Sequence, residues 1–298
     1  MSWGIRGYEA GDRAHWLRLH AGWGGTPAQL VEASLDTDPT DSDIVLRLVA
    51  EAGGRVVAAA ELNEALPGFA GRTVVRTVVD PPWRHQGIGS ELFATLLRAA
   101  HGRPRALRVV VLDNDESSRR FAERRGFRLV QHSLGFALDL AAIPPRRSDY
   151  PGLSFWSLPA APSDEDWSRL HDAFVACCAD TPDLEGVLPP RDFLQALVTL
   201  PDGAMVAHLD GGVAGFTAAY PEGDATWRIA LTGVAPALRR RGVGRAVKLA
   251  LEDVARRHGA LRITTDNLSD NAPILALNRS LGYVRALGTW RLELQPGV

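Results

Sequence analysis

The sequence of 298 residues has little of what marks secreted or metal-dependent proteins. Its two cysteines, Cys177 and Cys178, are adjacent in a helical pattern, so their side chains point about 100° apart and are poorly placed to bridge each other. They form no metal motif, and the eight histidines show no ligand spacing. The sequence therefore predicts neither a disulfide framework nor a metal site.

Long apolar runs and strong net charge are also missing. No run approaches the ~20 residues that a membrane span needs, and residues 1–6 lack the apolar core of a signal peptide. The formal net charge of -2 gives no electrostatic reason to expect nucleic acid as a partner. We therefore expect a cytoplasmic protein with no membrane and no nucleic-acid partner.

One basic, glycine-rich turn stands out in the second half of the chain. Arg239–Arg245 lies between a β-like run, Trp227–Val234, and a helical run, Ala246–His258. The first amides of such a helix have no partner inside the helix and face one way, and glycine lets a ligand approach the backbone closely. The turn therefore predicts an anion-binding cup whose natural guest is a phosphate or pyrophosphate.

The same arrangement occurs in the first half. The strand-like run Thr73–Val79 is followed by Arg84–Ser90 and the helical run Glu91–Ala100. Both copies have Val-x-Pro and then Arg-x-x-Gly-x-Gly at an identical offset, which is far less probable by chance than a lone Gly-x-Gly. The chain is long enough for two domains of roughly 140 to 150 residues each.

The segment between the copies is the best linker candidate. Residues 144–152 carry two prolines, three charges and then Pro-Gly, which cannot continue a helix or a central strand. The predicted boundaries are residues 1–143 for the first domain, 144–152 for the linker and 153–298 for the second domain.

The hydrophobic patterns predict the following strands: Trp3–Glu9, Ile44–Glu51, Arg55–Leu62, Thr73–Val79, Leu107–Leu112, Phe127–Val130, Leu134–Leu140, Leu153–Leu158, Ala204–Leu209, Val213–Tyr220, Trp227–Val234, Leu261–Thr265, Tyr283–Ala286 and Thr289–Leu294. The predicted helices cover Asp12–Ala21, a segment starting at Thr26, Glu91–Ala100, Glu116–Arg125, Ser163–Ala179, Arg191–Leu200, Ala246–His258 and Pro273–Leu281.

With strand order, cup and later helix in view, both halves resemble the GNAT superfamily of acyl-CoA-dependent N-acyltransferases. The resemblance implies two tandem α/β (α+β) units, each a mixed, mostly antiparallel seven-stranded sheet flanked by about four helices. The tandem organisation resembles that of mycothiol synthase and related acyltransferases. In this family the Arg/Gln-x-x-Gly-x-Gly/Ala turn binds the pyrophosphate of coenzyme A, and the strand before it offers backbone amides to the pantetheine arm.

The resemblance also implies a set of site residues. Coenzyme binding falls on Val79, Arg84, His85, Gln86, Gly87, Ile88, Gly89 and Ser90, and on Val234, Arg239, Arg240, Arg241, Gly242, Val243, Gly244, Arg245, Asn271 and Asn278. The family's next motif, Asn-x-x-Ala/Ser-x-x-Phe-Tyr-x-x-x-Gly-Phe, is matched by Asn271, Ile274, Leu277, Asn278, Gly282 and Tyr283, and in the first half by Asp115, Ser118, Phe121, Ala122, Gly126 and Phe127. The tyrosine that often protonates the departing thiolate is thus replaced in both halves.

The reaction implied is transfer of an acetyl group from acetyl-CoA, as co-substrate, to a primary amine of a small molecule, or alternatively of a peptide or protein. Catalysis would come mainly from positioning and oxyanion stabilisation. The second half is favoured as the catalytic one because it keeps Asn271 and a polar residue at position 278. Catalytic side chains stay unassigned; candidate bases are Glu61, Glu64, His208, Glu222 and Asp224, each with a competing surface role.

Competing interpretations of the glycines fail on context. A dinucleotide fold would need a third glycine where Leu92 and Val247 stand, and a nucleotide-hydrolysing phosphate loop would need Gly-Lys-Ser/Thr. The tryptophans are better explained by core packing than by an acceptor pocket. There are two alternatives to a fully catalytic protein: a non-catalytic acyl-CoA-binding or scaffolding protein, and an enzyme whose first unit is only structural. The sequence does not decide between a monomer and a homodimer.

Overall fold

A computed structural model describes residues 2–20, 31–32, 35, 44–63, 72–101, 105–181, 184, 188–223 and 225–295. The chain divides into two compact units, which are described separately. Unit 1 comprises residues 1–132 and 289–298, and unit 2 comprises residues 133–288. The division by spatial contact therefore differs from the order of the chain, because residues 289–298 belong to unit 1.

The described strands and helices are numbered along the chain. The strands are β1 (Gly4–Gly7), β2 (Ile44–Ala52), β3 (Arg55–Asn63), β4 (Arg72–Val79), β5 (Ala106–Leu112), β6 (Arg128–Asp139), β7 (Leu153–Ser157), β8 (Ala204–Leu209), β9 (Gly212–Pro221), β10 (Thr226–Val234), β11 (Arg262–Leu268) and β12 (Val284–Leu294). The α-helices are α1 (Arg13–His20), α2 (Ile88–Ala100), α3 (Glu116–Glu123), α4 (Asp164–Cys178), α5 (Arg191–Leu197), α6 (Val243–Arg257) and α7 (Ala272–Ser280).

Unit 1 is built on a mixed sheet in the order β1-β2-β3-β4-β5 followed by the end of β12. All neighbours are antiparallel except β4 and β5, which run parallel. The last strand, Thr289–Leu294, pairs with Leu112–Leu107 of β5, so the carboxyl end of the chain completes this sheet. Strand β5 is an apolar run buried along most of its length, as expected where both faces of a sheet are covered.

Unit 2 repeats the plan with a strand taken from the middle of the chain. Its order is β7-β8-β9-β10-β11, followed by residues 133–139 of β6. Strands β10 and β11 are the parallel pair, and Ser133–Asp139 runs antiparallel to β11. The parallel pair thus occupies the same place in each unit.

The predicted fold class is confirmed: each unit is a mixed, mostly antiparallel sheet with helices, drawing on parts of seven strands. The strand prediction wrongly divided two continuous strands. Phe127–Val130 and Leu134–Leu140 form one continuous strand, β6, and the last two predicted strands form one strand, β12. The polar residues 131–133 and Gly288 resemble turn residues locally, but ladder pairing overrides local propensity. The predicted domain boundaries stay a prediction, since they divide the chain by sequence similarity.

Local signals account for the elements that were predicted well. Gly53 and Gly54 have φ of 58° and 75° and close the β2–β3 hairpin, which needs two left-handed residues. Ser163 and Asp166 form a reciprocal capping box at the start of α4, which satisfies two amides that the helix leaves unpaired. None of the helices in the described part of the chain is long and apolar enough to cross a membrane.

Each unit has its own apolar core between the sheet and the helix that follows the parallel strand. In unit 1, Leu92 and Leu96 of α2 pack with Leu62 and Val75 of the sheet. In unit 2, Leu251 of α6 belongs to the corresponding core. Because this packing fixes the first turn of α2 and of α6 against the end of β4 and β10, it positions the two glycine-rich turns.

Candidate active site

The first glycine-rich turn is held by its own backbone. Strand β4 ends at Val79, a 3₁₀ turn covers Pro81–Trp83, and Nε of Arg84 donates a hydrogen bond of 3.1 Å to the carbonyl oxygen of Val79. His85 and Gly87 have φ of 63° and 88°. Both conformations are left-handed, and they turn the chain so that α2 begins directly after Gly87.

The second turn has the same geometry. Nε of Arg239 donates to the carbonyl oxygen of Val234 at 3.0 Å, and Arg240 and Gly242 have φ of 60° and 92°. A Cβ added to Gly244 would lie 3.4 Å from Val234, just as one added to Gly89 would lie 3.4 Å from Val79. The duplication seen in sequence is therefore a duplication of backbone conformation.

Both helices begin with amides that have no acceptor among the described residues. In α2 the first helical bond of the turn runs from the Glu91 amide to Gly87, and in α6 it runs from Ala246 to Gly242. The amides before them belong to Ile88, Gly89 and Ser90, and to Val243, Gly244 and Arg245. Three convergent amides at the positive end of a helix dipole form an anion site.

The charged side chains around the two turns differ. Arg239 binds Asp180 through both terminal nitrogens at 2.6 Å, whereas Arg240, Arg241 and Arg245 are exposed. In the first turn, Gln86 donates to the carbonyl oxygen of Pro82 at 3.2 Å. Arg239 therefore serves mainly to hold the loop, and the exposed arginines supply the positive field of the second turn.

In each unit a gap opens between the parallel strands beside the cup. The β4–β5 ladder covers Arg72–Val74 and stops, so β4 runs on for five residues to Val79 without a β5 partner. The β10–β11 ladder stops at Ile229 and Thr265 in the same way. Each unit thus has an unpaired strand edge and, after a short turn, a helix start with unpaired amides, a combination that suits a long ligand with an anionic end.

Only the strand of unit 2 carries a β-bulge. The register of β10 with β9 shifts between Ile229 and Leu231, so that Ala230 is an extra residue next to the point where the gap opens. Strand β4 keeps one register with β3 from Val74 to Val79. A bulge turns backbone groups out of the ladder, so β10 is shaped to present an amide into the gap and β4 is not.

The two asparagine positions also separate the units. The side chain of Asn271 starts α7 without making a capping bond, and it is half-buried beside the second cup's helix. Its counterpart Asp115 accepts from the amide of Ser118 at 2.9 Å and from its hydroxyl at 2.6 Å. Asp115 is thus engaged as a helix cap, whereas Asn271 keeps its amide group for another partner.

Asn278 is fully buried and is part of a pair. Its Nδ2 donates to Oδ1 of Asn267 on β11 at 2.8 Å, while its own Oδ1 is buried without a partner. By the motif alignment, the corresponding positions in unit 1 are Ala122 and Val111, both buried apolar residues. The buried Asn278–Asn267 pair of unit 2 is therefore replaced by two apolar residues in unit 1.

The candidate bases take other roles. Glu61 is 2% exposed and lies between Arg47 at 3.1 Å and Arg76 at 3.3 Å, so it is neither a surface residue nor an accessible base. Glu222 binds Arg228 at 2.8 Å. Burial, and then the charge of Arg169, lower the pKa of His208. Residues 64 and 224 lie outside the described residues.

Sequence reasoning missed the polar residues at the inner end of the second gap. Strand β11 was predicted to end at Thr265, yet it continues through Asp266 and Asn267 to Leu268. Asp266 binds Arg228 of β10 at 2.5 Å. Polar residues at the carboxyl end of a buried parallel strand are a usual sign of a ligand site, and the Asp-Asn pair carried that signal.

The cysteines and most tryptophans belong to the packing. Both cysteines are free and buried, and burial raises the pKa of the Cys177 thiol to about 11. Trp16, Trp227 and Trp290 lie in apolar cores, which confirms core packing for these three.

The family model for "Acetyltransferase (GNAT) family" matches residues 13–127 and again residues 167–283. The chain belongs to the GNAT acetyltransferase family. It is a tandem GNAT acetyltransferase, because each match contains one glycine-rich turn and the helix that begins at that turn.

Known proteins resemble this chain over most of its length. The chain is 26% identical over 275 residues to "Mycothiol acetyltransferase" of Actinosynnema mirum, covering 86% of this chain and 88% of that protein. Among solved structures, the "Tandem GNAT protein from the clavulanic acid biosynthesis pathway (without AcCoA)" superposes with a TM-score of 0.76 over 100% of this chain and 99% of that one, at 22% identity. A GCN5-related N-acetyltransferase from Sphaerobacter thermophilus gives 0.71 at 18% identity, over 99% and 97% of the two chains. These structural likenesses establish the fold.

Proposed function

We propose that the chain transfers an acetyl group from acetyl-CoA to a primary amine of a small molecule, and that unit 2 performs the reaction. One observation carries the proposal. In unit 2 a strand edge that opens at a β-bulge, next to Ile229, is followed by a short turn and then by a helix start whose amides have no acceptor among the described residues.

The residues of unit 2 fit coenzyme A. Amides of Val243, Gly244 and Arg245 would hold the diphosphate, and a Cβ added at Gly244 would come into contact with Val234 and Leu277 at 3.4 Å, so the turn lies close to the strand end and to α7. The free edge of β10 would hold the pantetheine arm by main-chain hydrogen bonds. The 26% identity to a mycothiol acetyltransferase is consistent with an amine acceptor.

When bound, acetyl-CoA supplies an acetyl group activated as a thioester. The amides near the bulge stabilise negative charge on the carbonyl oxygen, an effect worth a few kcal/mol in comparable sites, roughly 3 to 4. A nitrogen–carbon bond forms as the carbon–sulfur bond breaks, and the proton lost by the amine passes to solvent and finally to the thiol. No side-chain acid is required, because a thiol with a pKa of about 8.5 leaves readily at neutral pH.

A non-catalytic role is the second candidate for unit 1. Its gap is lined by buried valines, its cap residue Asp115 is occupied, and its strand lacks the bulge. Unit 1 would bind acyl-CoA without turnover or serve as a scaffold.

Three glycine variants test the proposal. Gly242→Val and Gly87→Val place a side chain in one cup each, and Gly259→Val is the matched control, since Gly259 has φ of +77° with nothing within 4 Å of an added Cβ. We expect Gly242→Val to abolish acetyl transfer and to weaken acetyl-CoA binding by calorimetry, with Gly87→Val and Gly259→Val retaining turnover. Loss of turnover in Gly87→Val alone would assign the reaction to unit 1, and binding without turnover of any amine by the native chain would favour the scaffold.

A further inference from the structure

The inner end of the gap in unit 2 carries three charges. Arg228 directly precedes Ile229, the last β10 residue paired with β11, and Asp266 is the first β11 residue beyond that ladder. Asp266 and Glu222 both bind Arg228, at 2.5 Å and 2.8 Å. With two carboxylates and one guanidinium, the cluster has a formal charge of minus one, and all three side chains keep partial access to solvent.

The cluster lies on the face of the sheet opposite the second cup. Trp227 and Ile229 pack into the core formed with α6, so Arg228 between them points to the other face. The end of helix α4 covers that face of the sheet at Gly233, where an added Cβ would lie 2.4 Å from the sulfur of Cys178. Gly233 is near the carboxyl end of β10, five residues from Arg228, so this contact does not cover Arg228. An acceptor that approaches the gap from this face meets the cluster first.

The side chain of Tyr220 lies next to this charged cluster. Tyr220 is the cross-strand partner of Arg228, is 7% exposed, and makes no hydrogen bond to any described residue. Burial raises the pKa of its phenol, and the charges of Arg228, Asp266 and Glu222 act on it, so the hydroxyl stays protonated beside the cluster. The hydroxyl is not one of the fully buried polar atoms that lack a partner, so solvent reaches it, and a bound acceptor can replace that water as its hydrogen-bond partner.

The corresponding face of unit 1 has a cluster of opposite sign. Glu61 lies between Arg47 and Arg76, with side chains between 2% and 6% exposed, and the sum of charges is plus one. The negative cluster is therefore a property of unit 2 and not a requirement of the shared fold.

We propose that Tyr220, Glu222 and Asp266 form the acceptor subsite of unit 2 and select cationic amines, such as diamines and amino alcohols, over amines that carry a carboxylate. This inference rests on the function proposed above. The net negative charge attracts the ammonium form of the acceptor and repels a carboxylate, and the free hydroxyl binds a second polar group of the acceptor.

A matched series of four-carbon acceptors tests the subsite: the diamine putrescine, the amino alcohol 4-amino-1-butanol and the amino acid 4-aminobutanoic acid. For the native chain we expect kcat/KM to fall in that order. Glu222→Gln and Asp266→Asn each remove one negative charge and should reduce the preference for putrescine over the amino acid by about fivefold, the scale of a partly exposed ion pair. The control Asp253→Asn removes a carboxylate of α6 that pairs with Arg257 at 3.6 Å and should leave the ratio unchanged. An unchanged ratio in both cluster variants overturns the proposal.

Tyr220→Phe gives an independent readout. If the hydroxyl serves the acceptor, this variant should raise KM for the amino alcohol while the melting temperature stays equal or rises. A lower melting temperature with unchanged KM would make Tyr220 a structural residue and overturn its place in the subsite.

Failure of the proposed function is distinguishable from failure of the subsite. If the native chain binds acetyl-CoA but acetylates none of the three amines, binding of the same amines to the acetyl-CoA-loaded chain is measured by calorimetry. Tighter binding of putrescine than of the amino acid, lost in Asp266→Asn, then supports the subsite without the reaction, and equal binding overturns it.

Discussion

Nε of Arg239 donates a hydrogen bond of 3.0 Å to the carbonyl oxygen of Val234, five residues earlier. The remaining two nitrogens of the same guanidinium donate to the carboxylate of Asp180 at 2.6 Å. These bonds attach the loop both to the end of β10 and to the residues that follow α4. In unit 1 Arg84 makes the equivalent bond to Val79. The first arginine of the motif therefore shapes the cup, and the backbone amides remain for the ligand.

Replacement of Arg239 by lysine should separate loop geometry from charge. Lysine keeps the charge but cannot make the bidentate contact and the bond to Val234 together. We expect Arg239→Lys to raise KM for acetyl-CoA roughly fivefold with a smaller effect on kcat. Arg241→Lys, at an exposed position of the same loop, is the control and should be close to native. Equal KM values for both variants would argue for charge alone.

Asn278→Ala introduces the residue that unit 1 has at this position. The change removes the 2.8 Å hydrogen bond that holds the side chain of Asn267. We therefore expect kcat to fall at least about tenfold, and the free energy of unfolding to fall by about 1 kcal/mol. Ser280→Ala, which removes an exposed hydrogen bond from the same helix, should keep native kcat. Native turnover in Asn278→Ala would remove this residue from the site.

Lys248 is the only lysine of the chain and is 1% exposed. Burial lowers its pKa to about 8, against the opposing charge of Glu252. Between about pH 8 and the unfolded pKa near 10.4 the folded chain has released a proton that the unfolded chain still binds, so this group makes stability rise with pH in that window.

The prediction for Lys248 has two measurements. Lys248→Met should stabilise unit 2 at pH 7 by about 1 to 3 kcal/mol, and the gain should shrink as the pH approaches 10. Since one lysine gives one signal, NMR of isotope-labelled lysine reads the midpoint directly. A midpoint above pH 10 with no stabilisation in Lys248→Met would contradict the prediction.

Glu293 closes the sheet of unit 1. Burial raises its pKa, but hydrogen bonds from Arg108 and Arg72 outweigh burial, so the pKa lies below its ordinary value. The stabilisation is therefore present above the unfolded pKa of about 4.3 and is lost as the pH falls through the lower, folded value.

Glu293→Ala removes the carboxylate that pairs with the buried guanidinium of Arg108, which is 1% exposed. We expect the unfolding transition of unit 1 to lose about 3 to 5 kcal/mol at pH 7 and less in acid, measured by urea titration. Glu123→Ala, which removes an exposed helix pair with Arg119, should cost under about 1 kcal/mol. A loss for Glu293→Ala no larger than for Glu123→Ala would mean that the buried pair does not hold the strand.

Features encoded by neighbouring residues could be predicted from the sequence. The Gly53-Gly54 hairpin, the Ser163/Asp166 capping box and the turns around Gly87 and Gly242 depend on a few adjacent positions, and each has the predicted structure. The position of these turns after a strand and before a helix led to the family without any contact being known.

Features that depend on distant residues could not be predicted. The bulge at Ala230 exists only in relation to β9, and the end of the β10–β11 ladder at Ile229 is a property of two strands together. The pairing of Asp266 with Arg228 follows from that ladder. The placement of Thr289–Leu294 beside β5 joins segments far apart in the chain, which no local pattern encodes.

The order of the strands has a consequence for biosynthesis. Ribosomes make the chain from its amino end, so all of residues 133–288 emerge before the segment that pairs with Leu107–Leu112. The amino-terminal sheet keeps an open edge until Thr289–Leu294 has been made, and a nascent chain stalled short of Thr289 should remain sensitive to protease in residues 1–132 while residues 133–288 are already resistant.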